Sequence, residues 1–260
     1  MSTTARIALQ GLKVDPLTMT QAVDRVFGSL AAGDGGVVLT PNLDHLRRHV
    51  RQPIVRPAYA NADLVLADGM PLVWASRLQG TPLPERVAGS DLIWTISRRA
   101  AEMRSSVFLL GGAPTVARVA AVELLARCPG LRLAGYHCPP FGFLEDGAEI
   151  TALIEAVRTA NPDIVFVGLP SPVAEAVIAK LQPNLPRTWF LGLGVSLSFV
   201  SGHVQRAPRW TQRVGLEWLW RLCHEPRLWR RYILDGLPFA ASVLSSALVS
   251  RLRLSRPPTA

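Results

Sequence analysis

The chain reads as an α/β protein, a mainly parallel sheet covered by helices, with a basic helical appendage at its C-terminal end. Three observations predict this. Short apolar runs such as GVVLT (36–40) and DIVFVGLP (163–170) lack polar alternation, as strands buried on both faces do. Helical stretches of about ten to sixteen residues separate these runs, which suits parallel crossovers. After Gly202 the composition turns rich in Arg and Trp.

The elements follow in order. The first strand, 36–40, leads into a helix through LDHLRRHVRQ. ADLVLAD (62–68) is the second strand and ends at Asp68-Gly69. Helical stretches at 71–79 and 91–104 precede SVFLLGG (106–112), a strand ending in two glycines. A helix over 114–126, the strand LRLAGYH (131–137) and a helix over 145–160 come next, with Pro162 beyond that helix. The strands 163–170 and TWFLGLG (188–194) flank a helix over 172–181. The pattern is Rossmann-like in the broad sense. Residues 1–202 form the α/β core and 203–260 the appendage.

Composition narrows the function classes. Of 260 residues, 49% are hydrophobic, enough for a substantial core. No basic stretch followed by an apolar run marks the N-terminus as a secretory signal. The longest uncharged apolar run, 236–250, falls short of the roughly 20 residues of a spanning helix; it suits a buried or interfacial helix. Cys128, Cys138 and Cys223 are far apart and form no CxxC pair, consistent with a reducing compartment. The net charge of +9 is unevenly spread: ten arginines face only Glu217, Glu225 and Asp235 after residue 202. Such an excess points to an anionic partner.

Ligands of parallel sheets bind beyond the carboxyl ends of the strands. Thr40, Asn42, Asp68, Gly111, Gly112, Gly168 and Gly194 fall there. Gly111 and Gly112 between strand and helix allow backbone amides to approach a diphosphate; a plain tight turn would use the same residues. Asp68 suits a general base and equally a helix cap. GLGVSL (192–197) lacks the third glycine of a dinucleotide fingerprint. No D-x-D occurs, so leaving-phosphate charge would fall to cations and amides without a metal or other cofactor. His45 and His49 share a helix face but lack the acid or cysteine of a zinc site.

RAPRWTQRVGLEWLWRLCHEPRLWRRY (206–232) packs seven arginines and four tryptophans into 27 residues. Trp210, Val214, Trp218 and Leu222 recur every four residues, an apolar stripe on one predicted helix. Arg209, Arg213, Glu217 and Arg221 form the adjacent stripe. Arg227, Arg230 and Arg231 share a face of a helix starting at Pro226. A nucleic-acid grip is disfavoured, because this spacing suits a packed helix beside a small-molecule fold.

ADGMPLVWASRLQGTPLPERVAGSDL (67–92), FLLGGAP (108–114) and the 206–232 segment resemble the WecG/TagA/CpsF family of bacterial glycosyltransferases. TPNLDH (40–45) and GLPSPVAE (168–175) match its other blocks less completely. The resemblance implies inverting transfer from a UDP-sugar to a polyprenyl-diphosphate-linked sugar, peripheral on the cytoplasmic face of the cell membrane. It places the base on Asp68 and substrate contacts on Thr40, Asn42, Arg86 and Glu175. It also places diphosphate contacts on Arg221, Arg227, Arg230 and Arg231, with self-association left open. Two positions depart from the family pattern: Ala174 where glutamine is usual, and Ser198 where aspartate is usual. A catalytically silent binding homologue is therefore the alternative.

Overall fold

In a computed structural model, residues 5–254 of the chain are described, except for the side chains at 213, 253 and 254. A hairpin of β1 (Ile7–Leu9) and β2 (Leu12–Val14) comes first. Its turn uses Gln10 and Gly11, both at positive φ, as the tight hairpin turn demands. Helix α1 (Met19–Ala31) follows, closed by a reciprocal capping box between Thr18 and Gln21. Neither the hairpin nor α1 was among the expected elements, although the Thr-x-x-Gln cap is a readable signal.

The main sheet contains β3 (Gly36–Leu39), β4 (Leu64–Val65), β5 (Ser106–Gly111), β6 (Arg132–His137), β7 (Ile164–Gly168) and β8 (Trp189–Gly192). Their order is β4-β3-β8-β7-β5-β6, and every pair is parallel. All six expected strands form. Their uninterrupted apolar runs serve two cores at once: Val165 and Val167 of β7 face one, Ile164 and Phe166 the other. Gly36 is required at the start of β3, because a Cβ there would lie 2.7 Å from the Trp189 ring.

Helices α2 (Leu43–Arg51), α3 (Arg56–Asn61), α4 (Met70–Gln79), α5 (Gly89–Met103), α6 (Pro114–Arg127), α7 (Gly147–Ala160) and α8 (Val173–Leu181) fill the crossovers. The short α9 (Ser196–Val200) follows β8.

Beyond residue 202 lie α10 (Arg209–Arg213), α11 (Glu217–His224), a 3-10 turn at Pro226–Leu228 and a π-helical stretch at Arg230–Gly236. The π turns run into α12 (Leu237–Leu254). The expected continuous Trp stripe does not form. Gly215, at φ +77°, separates α10 from α11, and a Cβ there would strike the Trp74 ring at 2.6 Å. Trp210 is consequently 64% exposed instead of packed in line with Trp218. The arginine stripe breaks at the same point, so Glu217 turns to the core domain rather than to neighbouring arginines.

Helix α12 packs along α4 and buries Phe239, Val243 and Ala247. Together with the turns before it, Pro226–Leu252 makes 27 helical residues, within which an 18-residue window reaches a mean hydropathy of 1.5. By length and composition that could cross a membrane, where the uncharged run alone was too short. The reason is that the π turns extend the helix back through Arg230, Arg231 and Asp235.

Candidate active site

Asp68 stands just past the end of β4. The backbone pairing of β4 with β3 continues beyond the strand: Leu66 N–H donates to the Leu39 carbonyl and Asp68 N–H to the Pro41 carbonyl, both at 2.9 Å. This fixes Asp68 beside Thr40 and Asn42. Gly69 lies against Asn42, where a Cβ would be 3.5 Å from its Cα. Three site candidates, Thr40, Asn42 and Asp68, thus come together at two adjacent strand mouths.

Each has defined partners. Thr40 is 7% exposed, and its hydroxyl donates to the Gly192 carbonyl at 2.9 Å, which joins β3 to β8. The Asn42 side-chain oxygen caps α2, accepting from Asp44 N–H at 3.0 Å and His45 N–H at 3.3 Å. His45 Nδ1 lies 2.8 Å from the same oxygen. With its oxygen so engaged, Asn42 presents its amide nitrogen as a donor.

Arg86 faces Asp68. Its Nη1 is 4.0 Å from Asp68 Oδ1 and 3.2 Å from Glu217 Oε2, while its Nη2 is 3.7 Å from Asp91 Oδ2. The appendage enters here: Arg206 makes a two-pronged pair with Asp91, both contacts at 2.7 Å. Arg206 also donates to Gln212 Oε1 at 3.0 Å. Burial pushes the Asp68 carboxyl up to about 7; Arg86 opposes that shift and Glu217 adds to it. A quarter of the Asp68 side chain remains open, so the group is desolvated yet reachable. That combination suits a base working near neutral pH.

The remaining arginines are arranged differently from the single face expected. Arg221 on α11 is 16% exposed and pairs with Glu225 at 2.8 Å. Its guanidinium also lies 5.7 Å from the Phe199 ring centre. Arg227, 81% exposed, reaches the other oxygen of Glu225 at 3.2 Å. Arg231 turns inward to Asp44 at 3.4 Å, while Arg230 is exposed. The 3-10 and π turns rotate these residues away from ideal α-helical spacing, which dissolves the common face. Burial raises Asp44, but Arg231, Arg47 and Arg48 outweigh it and hold the carboxyl below its usual range. Asp235 pairs with Arg47 at 3.4 Å, a second tie between the appendage and α2.

The glycine pair sits further off, whereas the Glu175 charge acts on His45, the neighbour of Asn42. Glu175, at the start of α8, is 6% exposed and accepts from the Tyr59 hydroxyl at 3.0 Å. Burial, with Glu175 beside it, raises the Tyr59 phenol. Ala174 packs in the apolar core, so no amide stands there; Ser198 is half-buried on α9. Gly111 and Gly112, at φ +103° and +76°, join β5 to α6. They are four strand positions from β4, about 19 Å at normal strand spacing. One phosphate group therefore cannot touch both the glycine pair and Asp68. Among the described residues, no cluster of three or more metal-ligating side chains occurs.

Four further residues gather around Arg86 that the sequence does not single out as site residues: Asp91, Arg206, Gln212 and Glu217. Asp91 lies in the 67–92 segment and the other three in 206–232, but only the fold shows that they meet.

Comparison with known proteins places the arrangement. A profile described as the glycosyl transferase WecG/TagA/CpsF family matches residues 7–253. A protein from Bacillus spizizenii named N-acetylglucosaminyldiphosphoundecaprenol N-acetyl-beta-D-mannosaminyltransferase is 34% identical over 199 residues. That match covers 76% of this chain and 75% of the other. A Bacillus subtilis protein of the same name is 30% identical over the same shares. One from Staphylococcus aureus is 26% identical over 88% of both chains. An acid at a parallel-strand mouth, covered by an arginine-bearing appendage, is thus found in a chain that belongs to the WecG/TagA/CpsF family of glycosyltransferases.

Proposed function

We propose that this chain transfers a sugar from a UDP-sugar to a polyprenyl-diphosphate-linked sugar, with inversion and without a metal. The observation that carries this reading is the desolvated Asp68 facing Arg86 beneath the appendage. Asp68 takes the proton of the acceptor hydroxyl as its oxygen attacks the anomeric carbon. The bond from that carbon to the donor diphosphate breaks, and its electron pair leaves with the phosphate oxygen. One displacement with one base inverts the centre. Arg86 and the appendage arginines, Arg221 foremost, stabilise the leaving charge. Gly111 and Gly112, four strands away, suit the far end of the nucleotide sugar. The names of the relatives favour an N-acetylmannosamine donor and an N-acetylglucosamine acceptor.

Release of UDP tests the reading, with a panel of UDP-sugars and a short polyprenyl-diphosphate N-acetylglucosamine. Turnover with one donor, undiminished by EDTA, is expected. A rate abolished by EDTA and restored by a divalent cation would remove the metal-free step. Ala174 and Ser198 support a second reading, a silent binding homologue; donor binding without turnover across the panel would favour it.

The same reading places the chain peripherally on the inner face of the cell membrane. Leu237 and Leu248, eleven residues apart on α12, are both exposed and three helical turns apart on one face. Leu234 and Trp229 extend the apolar surface beside Arg230. Apolar burial and attraction to anionic lipid act together on such a surface. Leu237→Glu with Leu248→Glu is expected to abolish sedimentation with anionic liposomes while leaving the far-UV circular dichroism unchanged. Retained sedimentation would place the contact elsewhere.

A further inference from the structure

We propose that Glu217 is a positioning residue: it holds the Arg86 guanidinium away from Asp68, so that closure of the appendage sets the strength of the catalytic base. This rests on the role proposed above for Asp68. Arg86 Nη1 is shared unequally, 3.2 Å from Glu217 Oε2 and 4.0 Å from Asp68 Oδ1. The nearer carboxylate belongs to α11 in the appendage, 131 residues away in sequence. Arg86 Nη2 is held the same way, 3.4 Å from Gln212 Oε1 and 3.7 Å from Asp91 Oδ2. Two of these three competing acceptors come from the appendage.

The physical consequence is directional. A guanidinium in full contact with Asp68 would stabilise its carboxylate and weaken it as a base. Drawn toward Glu217, the same guanidinium stabilises Asp68 less, and the Glu217 charge adds repulsion. The other groups facing Asp68 are the Gly89 backbone amide and Arg206, and both favour the carboxylate. Arg206 is itself engaged by Asp91 and Gln212. With the appendage displaced, Glu217 and Gln212 would leave together and Arg86 would fall back onto Asp68. A base of full strength would then exist only in the closed form, where the acceptor hydroxyl is enclosed.

The test uses the full chain with the Asp68 carboxyl titrated by carbon-13 NMR, a readout independent of turnover. In Glu217→Gln, which keeps an oxygen acceptor but removes the charge, the midpoint is expected to fall by about one pH unit. The acidic limb of the kcat profile should move with it, and the plateau should drop on the order of threefold. Glu217→Asp, which retracts the carboxylate from Nη1, is expected to shift the midpoint the same way by less. It serves as the measurement should the glutamine variant not fold. An unmoved midpoint in a folded variant overturns the proposal. A midpoint that falls while the kcat limb stays fixed upholds the coupling and removes Asp68 as the base, so the two failures are distinguishable.

Discussion

Asp68→Asn is expected to lower kcat by about 10²- to 10⁴-fold, the usual worth of a positioned base, with little change in donor KM. Asparagine keeps the shape of the side chain but has no lone-pair base for the acceptor proton. The substitution is unusually clean here. Asp68 is held by a backbone hydrogen bond to Pro41; its carboxylate meets the Gly89 amide, from which an asparagine oxygen can also accept, and makes a long contact, 4.0 Å, with Arg86. Little of the fold therefore depends on its charge. Steady-state rates with the polyprenyl-diphosphate acceptor, alongside a thermal melt, give the measurement. A folded variant with an undiminished rate would remove Asp68 from the mechanism.

Arg221→Ala is expected to reduce kcat by about 10²- to 10³-fold, the scale of removing one preorganised donor from a developing anion. Arg221 lies one helical turn beyond Glu217, so both sit on the same face of α11. It is the least exposed appendage arginine paired within its own helix end, 16% open and packed over Phe199. Arg221→Lys keeps the charge but loses the planar fork, and an intermediate rate is expected. Equal rates for the wild type and the alanine variant would place the leaving diphosphate elsewhere.

Much of the sheet was legible because a strand buried on both faces writes a continuous apolar run. Residues 163–170 and 188–194 could hardly be anything else. Thr40, Asn42 and Asp68 were legible for the related reason that polar residues at strand ends stand out. The β1–β2 hairpin was not, since its turn sets Gln10 at positive φ, where Asn or Asp would have signalled it. The helical stripe through Trp210 and Trp218 failed at Gly215, whose neighbour Trp74 is remote in sequence. Strand order is not encoded locally either. Gly111–Gly112 and Asp68 read as equivalent strand ends, yet they lie at positions four strands apart. The Arg86–Glu217 and Arg206–Asp91 pairs span 131 and 115 residues, and nothing in either local pattern announces its partner.

The inward-turned arginines never stand bare. Arg206 rests on Asp91, Arg221 on Glu225, Arg231 on Asp44 and Arg86 on Glu217. A diphosphate that engages them therefore enters by exchange, displacing carboxylates, and not by filling a vacant positive hole. Its binding gains less than four uncompensated cations would give, and its departure leaves no unpaired charge behind. The resident acids act as a returning counter-ion set. In the reaction proposed above, that favours rapid release of the nucleotide product over tight retention.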